Sequence, residues 1–275
     1  MLAIGDPHFK VDNMIEVEKL IDSIENVAKL KKPDIIIILG DLLHTHERLH
    51  TTALNKAYDF VERMSAISKT YILVGNHDMI SNQEFLTENH WMNGMKKWNN
   101  VTIVDHVMEV NYKDNFRLVL APYVYPGRFQ EALNTLDSDW KTADLIFAHQ
   151  EFYGCKMGAI ISTDGDKWEL NFPLVISGHI HSKQWPQSNV YYTGSSMQHA
   201  FGESEQNIIA YITPSTNPRW NIKEIDLMLP RKRIVYTDIE DVTNTLSNLK
   251  INQVDKIKLS ILGEYEQFKA FKKSS

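Results

Sequence analysis

One cysteine in 275 residues, Cys155, excludes an intramolecular disulfide framework and fits a reducing compartment. No apolar run approaches the roughly 18 residues of a membrane span. The first residues lack the basic-then-apolar layout of a signal peptide, so the expectation is an intracellular protein with no membrane partner. Internal repeats and low-complexity stretches are missing too. So is a strong excess of positive charge: 29 Lys and Arg stand against 35 Asp and Glu, a formal net charge of −6. Residues 226–275 hold nine basic and seven acidic side chains, +2, so residues 1–225 carry the remaining −8. This balance argues against broad non-specific adhesion to nucleic acid, although bound divalent metals would cancel part of the acidity.

What is present is a 43% hydrophobic chain able to bury one large core, with room for a small second domain. Its organising stretch is Tyr71-Ile-Leu-Val-Gly-Asn-His-Asp78. Apolar residues of buried-strand type run into a glycine, and the turn then presents an amide, an imidazole and a carboxylate together. The same form recurs. Met1–Ile4 reads as a strand delivering Asp6 and His8, which lie two apart and share a face in extended backbone. Ile35–Leu39 reads as a strand buried on both faces and delivers Gly40-Asp41. Val17, Leu20, Ile21, Ile24, Val27 and Ala28 predict a helix ending near Lys31-Lys32. Ala53, Ala57, Phe60, Val61 and Met64 predict a second over about 51–67. Three strand-loop-helix units in succession predict a parallel α/β sheet, whose ligands bind outside the carboxyl ends of the strands.

A further helix is expected from about Gln83 to Trp98, with Phe85, Trp91, Met95 and Trp98 in the core. Short strands are expected at 101–104, 107–112 and 116–120, the last two joined by a hairpin turn at Lys113-Asp114-Asn115. Asp144–His149 and Leu174–His181 repeat the pattern of an apolar strand ending in imidazoles, and more strands follow at 190–193, 207–213 and 220–226. Five strand-end loops thus supply Asp6, His8, Asp41, Asn76, His149, His179 and His181, oxygen and nitrogen donors without a thiolate. Seven groups exceed the need of one tetrahedral ion. They suit two five- or six-coordinate ions about 3.5 to 4 Å apart that share a carboxylate, with manganese, iron or zinc favoured over calcium or magnesium.

In this order the motifs D-x-H, G-D, G-N-H-D, H and G-H-x-H resemble those of the calcineurin-like metallophosphoesterase superfamily. The resemblance covers about two thirds of the chain. It implies a four-layer αββα sandwich over residues 1–226, with residues 227–275 as a small partial C-terminal α+β cap or appendage. It also implies two divalent ions, with Asp6, His8 and His181 on one, Asn76, His149 and His179 on the other, and Asp41 bridging. A hydroxide between the ions would attack the phosphodiester. His77 would then be the catalytic imidazole at the scissile phosphate, with Asp78 either orienting that imidazole or capping the next helix.

Within the superfamily, Gly40-Asp-Leu-Leu-His44 resembles the opening of the SbcD-type DNA repair nucleases. So does the succession Gly178-His-Ile-His-Ser-Lys-Gln, Tyr192-Thr-Gly-Ser-Ser and Ala200-Phe-Gly-Glu203. That likeness implies a manganese-dependent DNA exo- or endonuclease in cytoplasm or nucleoid, an SbcC-type ATPase partner, and a homodimer formed through helices near 51–67 and 83–98. The alternatives on the same site are a small nucleotide phosphodiesterase and a phosphoprotein phosphatase. Candidate substrate contacts are His44, Trp185 as a stacking platform with Tyr191, and Arg231 as a phosphate contact; each also has a structural reading, as packing or a solvated face. His90, His106 and His199 read as structural.

Overall fold

Why Ile35–Ile38 is apolar at every position is explained by where its alternate residues go. Ile36 and Ile38 join Leu2, Ile4, Ile72 and Val74 in a core shared with two helices. Ile35 and Ile37 join Ala3, Tyr71 and Leu73 in a second core facing another sheet. A strand buried on both faces has no polar side to alternate with.

The computed structural model describes residues 1–46, 48–113, 116–249 and 255–274. The chain divides into two compact units, Met1–Met197 with Gln206–Leu229, and Gln198–Glu205 with Pro230–Ser275. The first unit opens with β1 (Leu2–Ile4), α1 (Met14–Lys31), β2 (Ile35–Ile38), α2 (Thr51–Ile67), β3 (Lys69–Leu73) and β4 (Val101–Val104). It continues with β5 (Met108–Tyr112), β6 (Phe116–Ala121), α3 (Phe129–Leu133), β7 (Leu145–His149) and the small hairpin β8 (Lys156–Met157) and β9 (Ile160–Ile161). Then come β10 (Val175–Gly178), β11 (Gln184–Gln187), β12 (Val190–Tyr192), β13 (Ile208–Pro214) and β14 (Trp220–Asp226).

Two six-stranded sheets result, in the orders β14-β13-β1-β2-β3-β4 and β11-β12-β10-β7-β6-β5. In the first, β1 to β4 are parallel, with Ala3 opposite Ile37 and Ile37 opposite Tyr71. In the second, β6, β7, β10 and β12 are parallel. The sheets share one core, which includes Leu118, Leu120, Phe147, Ile176 and Tyr191 from the second. Helices α1 and α2 cover the outer face of the first sheet. Phe129, Trp140, Phe152 and Trp168 cover the outer face of the second. The layering is therefore αββα, as the motifs implied.

Arg63 of α2 pairs with Asp22 (2.7 Å) and Glu25 of α1, fixing the helix pair at its solvent edge. The expected helix over 83–98 is not formed. Turns lead to a single 3-10 helix, Trp91–Lys97, entered where His90 Nδ1 accepts from the Met92 N–H at 3.1 Å. Local side-chain acceptors explain the difference: Ser81 Oγ takes the Gln83 N–H, Thr87 Oγ1 takes the Asn89 N–H, and Leu86 sits at φ +47°. Met95 is still buried, and Trp91 and Trp98 pack on Tyr58 at 6.0 and 5.7 Å. Of the expected turn at 113–115, Asp114 and Asn115 lie outside the described residues.

The second unit runs β15 (Lys232–Asp238), α4 (Val242–Asn248), β16 (Lys256–Leu262) and α5 (Tyr265–Ser274), with β15 and β16 parallel. The final helix adds to the expected strand, helix and strand. No single boundary along the chain describes the division, because Gln198 bonds the Lys232 backbone through both ends of its amide, at 2.7 and 3.2 Å.

Candidate metal centre

β1, β2 and β3 in one sheet and β7 and β10 in the other all end at the same edge, and each terminal loop carries donors. The backbone there is unusual. Asp6 (φ +40°), His8 (+45°), Asp41 (+50°) and His179 (+79°) occupy the left-handed region that L-residues avoid. Each such residue costs on the order of 1–3 kcal/mol, and such conformations cluster at functional sites. Gly40, at φ +100°, has to be glycine, because a Cβ there would collide with the His149 imidazole.

The side chains converge. Ligand atoms of Asp6, His8 and His181 lie within 4.8 Å of one another, and so do those of Asp41, His149 and His179. His8 Nε2 is 3.0 Å from His181 Nε2. Asn76 Oδ1 lies 3.0 Å from His149 Nε2 and 2.9 Å from His179 Nδ1. Asp41 Oδ2 stands 3.4 Å from His8 Nε2 and 3.4 Å from His149 Nε2, equidistant from the two groups. The His149 Nδ1–H donates to the Leu39 carbonyl at 2.6 Å, leaving Nε2 as its ligand atom. Asp6 Oδ1 accepts the His179 backbone N–H at 2.8 Å, tying the first loop to the last.

Without metal, the cluster titrates as interacting charges. Burial pushes the Asp6 carboxyl up. Burial acts likewise on Asp41, but the His149, His8 and His77 imidazoles outweigh it and hold that carboxyl well below the usual range. Burial lowers His149, and the Asp41 carboxylate more than reverses this, bringing it up to about 9. A donor set that already balances buried carboxylates against imidazoles is one in which divalent ions replace protons.

His77 adjoins the cluster, its ring 4.9 Å from His8, with its backbone N–H on Asp41 Oδ1 at 2.8 Å. Its Nδ1–H donates to the His44 carbonyl at 2.7 Å. Neither expectation for Asp78 holds in this geometry. Its carboxylate accepts from the N–H groups of Gly75 (3.1 Å), Leu42 and Leu43 (both 3.4 Å) and from the Trp91 indole (3.0 Å), stapling two ligand loops together. Burial and the nearby Asp41 push it up to about 7, against those donors.

His44 is integrated into the site, with Nδ1 3.4 Å from His8 Nδ1 and its ring near-parallel to His77. Trp185 is not: it lines a cavity at the opposite, amino edge of β7 and β10. Arg231 belongs to the second unit, where its N–H donates to Asp255 at 2.9 Å and its guanidinium lies 3.8 Å from Glu205. The motif Thr193-Gly-Ser-Ser proves to be part of the frame. Ser195 N–H donates to the His181 carbonyl and Ser196 N–H to that of Gly5, at 3.1 and 2.8 Å. Glu203 accepts the His199 and Ala200 N–H groups at 2.6 and 3.0 Å and so closes its own turn.

Two contributors were not anticipated. Glu151 Oε2 lies 3.8 Å from His179 Nε2, on the side away from Asn76, and this contact is the main reason its pKa is lowered. Its place two residues after His149 was the available signal. Tyr123 packs 5.5 Å from His179 and 6.0 Å from His149, and nothing local marks it. A further grouping, Glu88, Asp105 and His106, has Lys96 Nζ 2.5 Å from Asp105, an ammonium where a cation would sit.

Two facing sheets with an oxygen-and-nitrogen donor cluster at their common carboxyl edge define an α/β protein built to hold divalent metal. Residues 1–183 match the calcineurin-like phosphoesterase family, and the chain belongs to it. It is 50% identical over 279 aligned residues to the phosphoesterase-designated 244L of Invertebrate iridescent virus 6, covering 100% of this chain and 97% of that one. It is 45% identical to the phosphoesterase-designated 078R of Invertebrate iridescent virus 3, covering 100% of this chain and 79% of the other. Among solved structures, TT1561 of Thermus thermophilus shares the fold with a TM-score of 0.50 at 12% identity, over 82% of this chain and 97% of its own. GAP50, the anchor in the inner membrane complex of Plasmodium, does so with a TM-score of 0.50 at 13% identity, over 82% and 84%. The class of chemistry is metal-dependent phosphoester hydrolysis. No helix among the described residues is long and apolar enough to cross a membrane.

Proposed function

We propose that the chain is a two-metal phosphodiesterase acting on DNA, a manganese-dependent nuclease of the SbcD type in repair or recombination. Asp6, His8 and His181 would hold one ion and Asn76, His149 and His179 the other, with Asp41 between them. Such ions acidify water and draw charge from a phosphoryl group. The chain's own part is to fix these donors and to present His77. With Nδ1–H committed to the His44 carbonyl, Nε2 is the nitrogen left for the leaving oxygen, and it carries a proton there only as imidazolium. Burial lowers the His77 pKa, while the nearby Asp41 carboxylate and a bound phosphodiester both favour the charged form.

The observation that favours a polymer over a small diester is the segment after Asp41. His44, His46 and Arg48 alternate along it and line a recess of about 450 Å³ beside His77. Imidazoles and a guanidinium there suit a second phosphate of a longer chain. This reading carries with it an SbcC-type ATPase partner and a homodimer. The seven donors and His77 together favour an enzyme over an anchor of the same fold.

The test is cleavage of an end-labelled duplex and its single strand with manganese, with chelator and with His77→Ala, beside bis(p-nitrophenyl) phosphate. Metal-dependent cutting that falls about 10²–10⁴-fold in the variant, with metal stoichiometry kept, supports the proposal. Hydrolysis of the chromogenic diester with DNA intact moves the substrate to a small nucleotide diester or phosphoprotein. Unchanged turnover in His77→Ala removes the role given to that residue.

A further inference from the structure

At the edge opposite the metal centre, the loops entering β7 and β10, strand β11 and the start of β14 border an open cavity of about 700 Å³. Leu174 at its wall and His179 at the metal centre flank opposite ends of β10 (Val175–Gly178), about 15 Å apart. The cavity thus belongs to the same unit as the metal centre but is remote from it. Ligand pockets of small molecules typically span about 300–1,000 Å³.

Its lining includes three aromatic rings, Phe172, Trp185 and Trp220, and two cations, Lys141 and Arg219. Trp220 is buried, and its indole N–H donates to the Asp144 carbonyl at 2.8 Å, so it offers only carbon surface. Trp185 is 49% exposed although its ring lies 4.5 Å from Tyr191. An indole half in water, backed by a second ring and facing a cavity, is a stacking shelf. Lys141 Nζ stands 5.4 Å from the Phe172 ring centre, and among the described residues it has no carboxylate within ion-pair distance. Arg219 is paired with Asp144, so the rim carries one uncompensated positive charge.

We propose that this cavity is a second ligand site, independent of the metal centre, for a nucleotide-sized aromatic anion: a planar base on Trp185 and a phosphate on Lys141. The site requires no metal, and that separates it from the catalytic cluster experimentally.

The test is calorimetric titration of the full chain with adenosine 5′-monophosphate in the presence of chelator. One equivalent should bind. Adenosine and ribose 5-phosphate should each bind at least about tenfold more weakly, because each lacks one of the two contacts. Trp185→Ala and Lys141→Gln should each weaken the nucleotide about tenfold, Trp185→Phe should largely restore it, and hydrolysis of bis(p-nitrophenyl) phosphate in manganese should be unchanged in all three. No chelator-resistant binding at millimolar nucleotide overturns the proposal. So does binding that ribose 5-phosphate reproduces in full, which also decides the matter should Trp185→Ala not fold.

Discussion

A single imidazole shows how tightly the site specifies its parts. His77 is held at Nδ1 by the His44 carbonyl and through its backbone by Asp41, and its ring lies 4.6 Å from His46 at 24°. His46 is exposed and makes this flat contact besides lining the recess proposed for a second phosphate. On bis(p-nitrophenyl) phosphate, which has no second phosphate to place in that recess, His46→Ala is expected to lower kcat about three- to tenfold with KM and metal stoichiometry unchanged, while His46→Phe, which keeps the stack, recovers most of the loss. Should Phe fail as badly as Ala on this small diester, the stack does not carry the effect. His149 shows the reverse side of the same specification. In the metal-free protein its raised pKa contributes stability that is full below about 6.5 and is lost as pH rises through about 9.

At the scale of elements, the stretch between β3 and β4 lacks a long helix and is held by polar anchors instead. Asp105, just after β4, accepts from His90 Nε2 (3.1 Å), Lys96 Nζ (2.5 Å) and His106 Nδ1 (2.9 Å), clamping the 3-10 segment to the sheet. Burial pushes its carboxyl up, and these three donors outweigh burial and hold it well below the usual carboxylate range. A depressed carboxylate contributes stability that is present above its unfolded pKa, about 4, and is lost as pH falls below that value. Asp105→Asn should therefore cost about 1–3 kcal/mol near neutral pH. The gap from the parent in denaturant midpoint should narrow below about pH 4, and a gap constant from pH 7 to pH 3 would count against the clamp.

For the whole molecule, the family match over residues 1–183 stops short of what the first unit needs. β13 pairs with β1 and β12 pairs with β10, so both ligand-bearing sheets depend on later strands. Ser195 and Ser196 also hold the loops of His181 and Gly5. A chain ending at residue 183 should show no cooperative thermal transition by circular dichroism and bind no metal pair. A sharp transition with two ions bound would show that the matched segment is self-sufficient.

How much of this was legible in the sequence follows from what each signal depends on. The run Ile35–Leu39, the periodicity of α1 and α2, and the donors placed after strand-glycine junctions are local properties, fixed by burial on both faces, by the helical period and by backbone freedom at Gly40. They determined the sheet class, the helix pair and the seven candidate ligands. The stretch 83–98 was not legible because hydrophobic spacing does not report side-chain acceptors such as Thr87 and His90 competing for the backbone. The local sequence offers Asp78 either its neighbour His77 or the next helix as a partner, but its carboxylate bonds backbone from another loop. Only the tertiary structure decided that Glu151 and Tyr123 back the metal centre, and that Trp185, five residues after Ile180 in a ligand loop, lies at the far edge. The chain reverses direction between β10 and β11, and what one side chain meets across two packed sheets is set by residues distant in the chain.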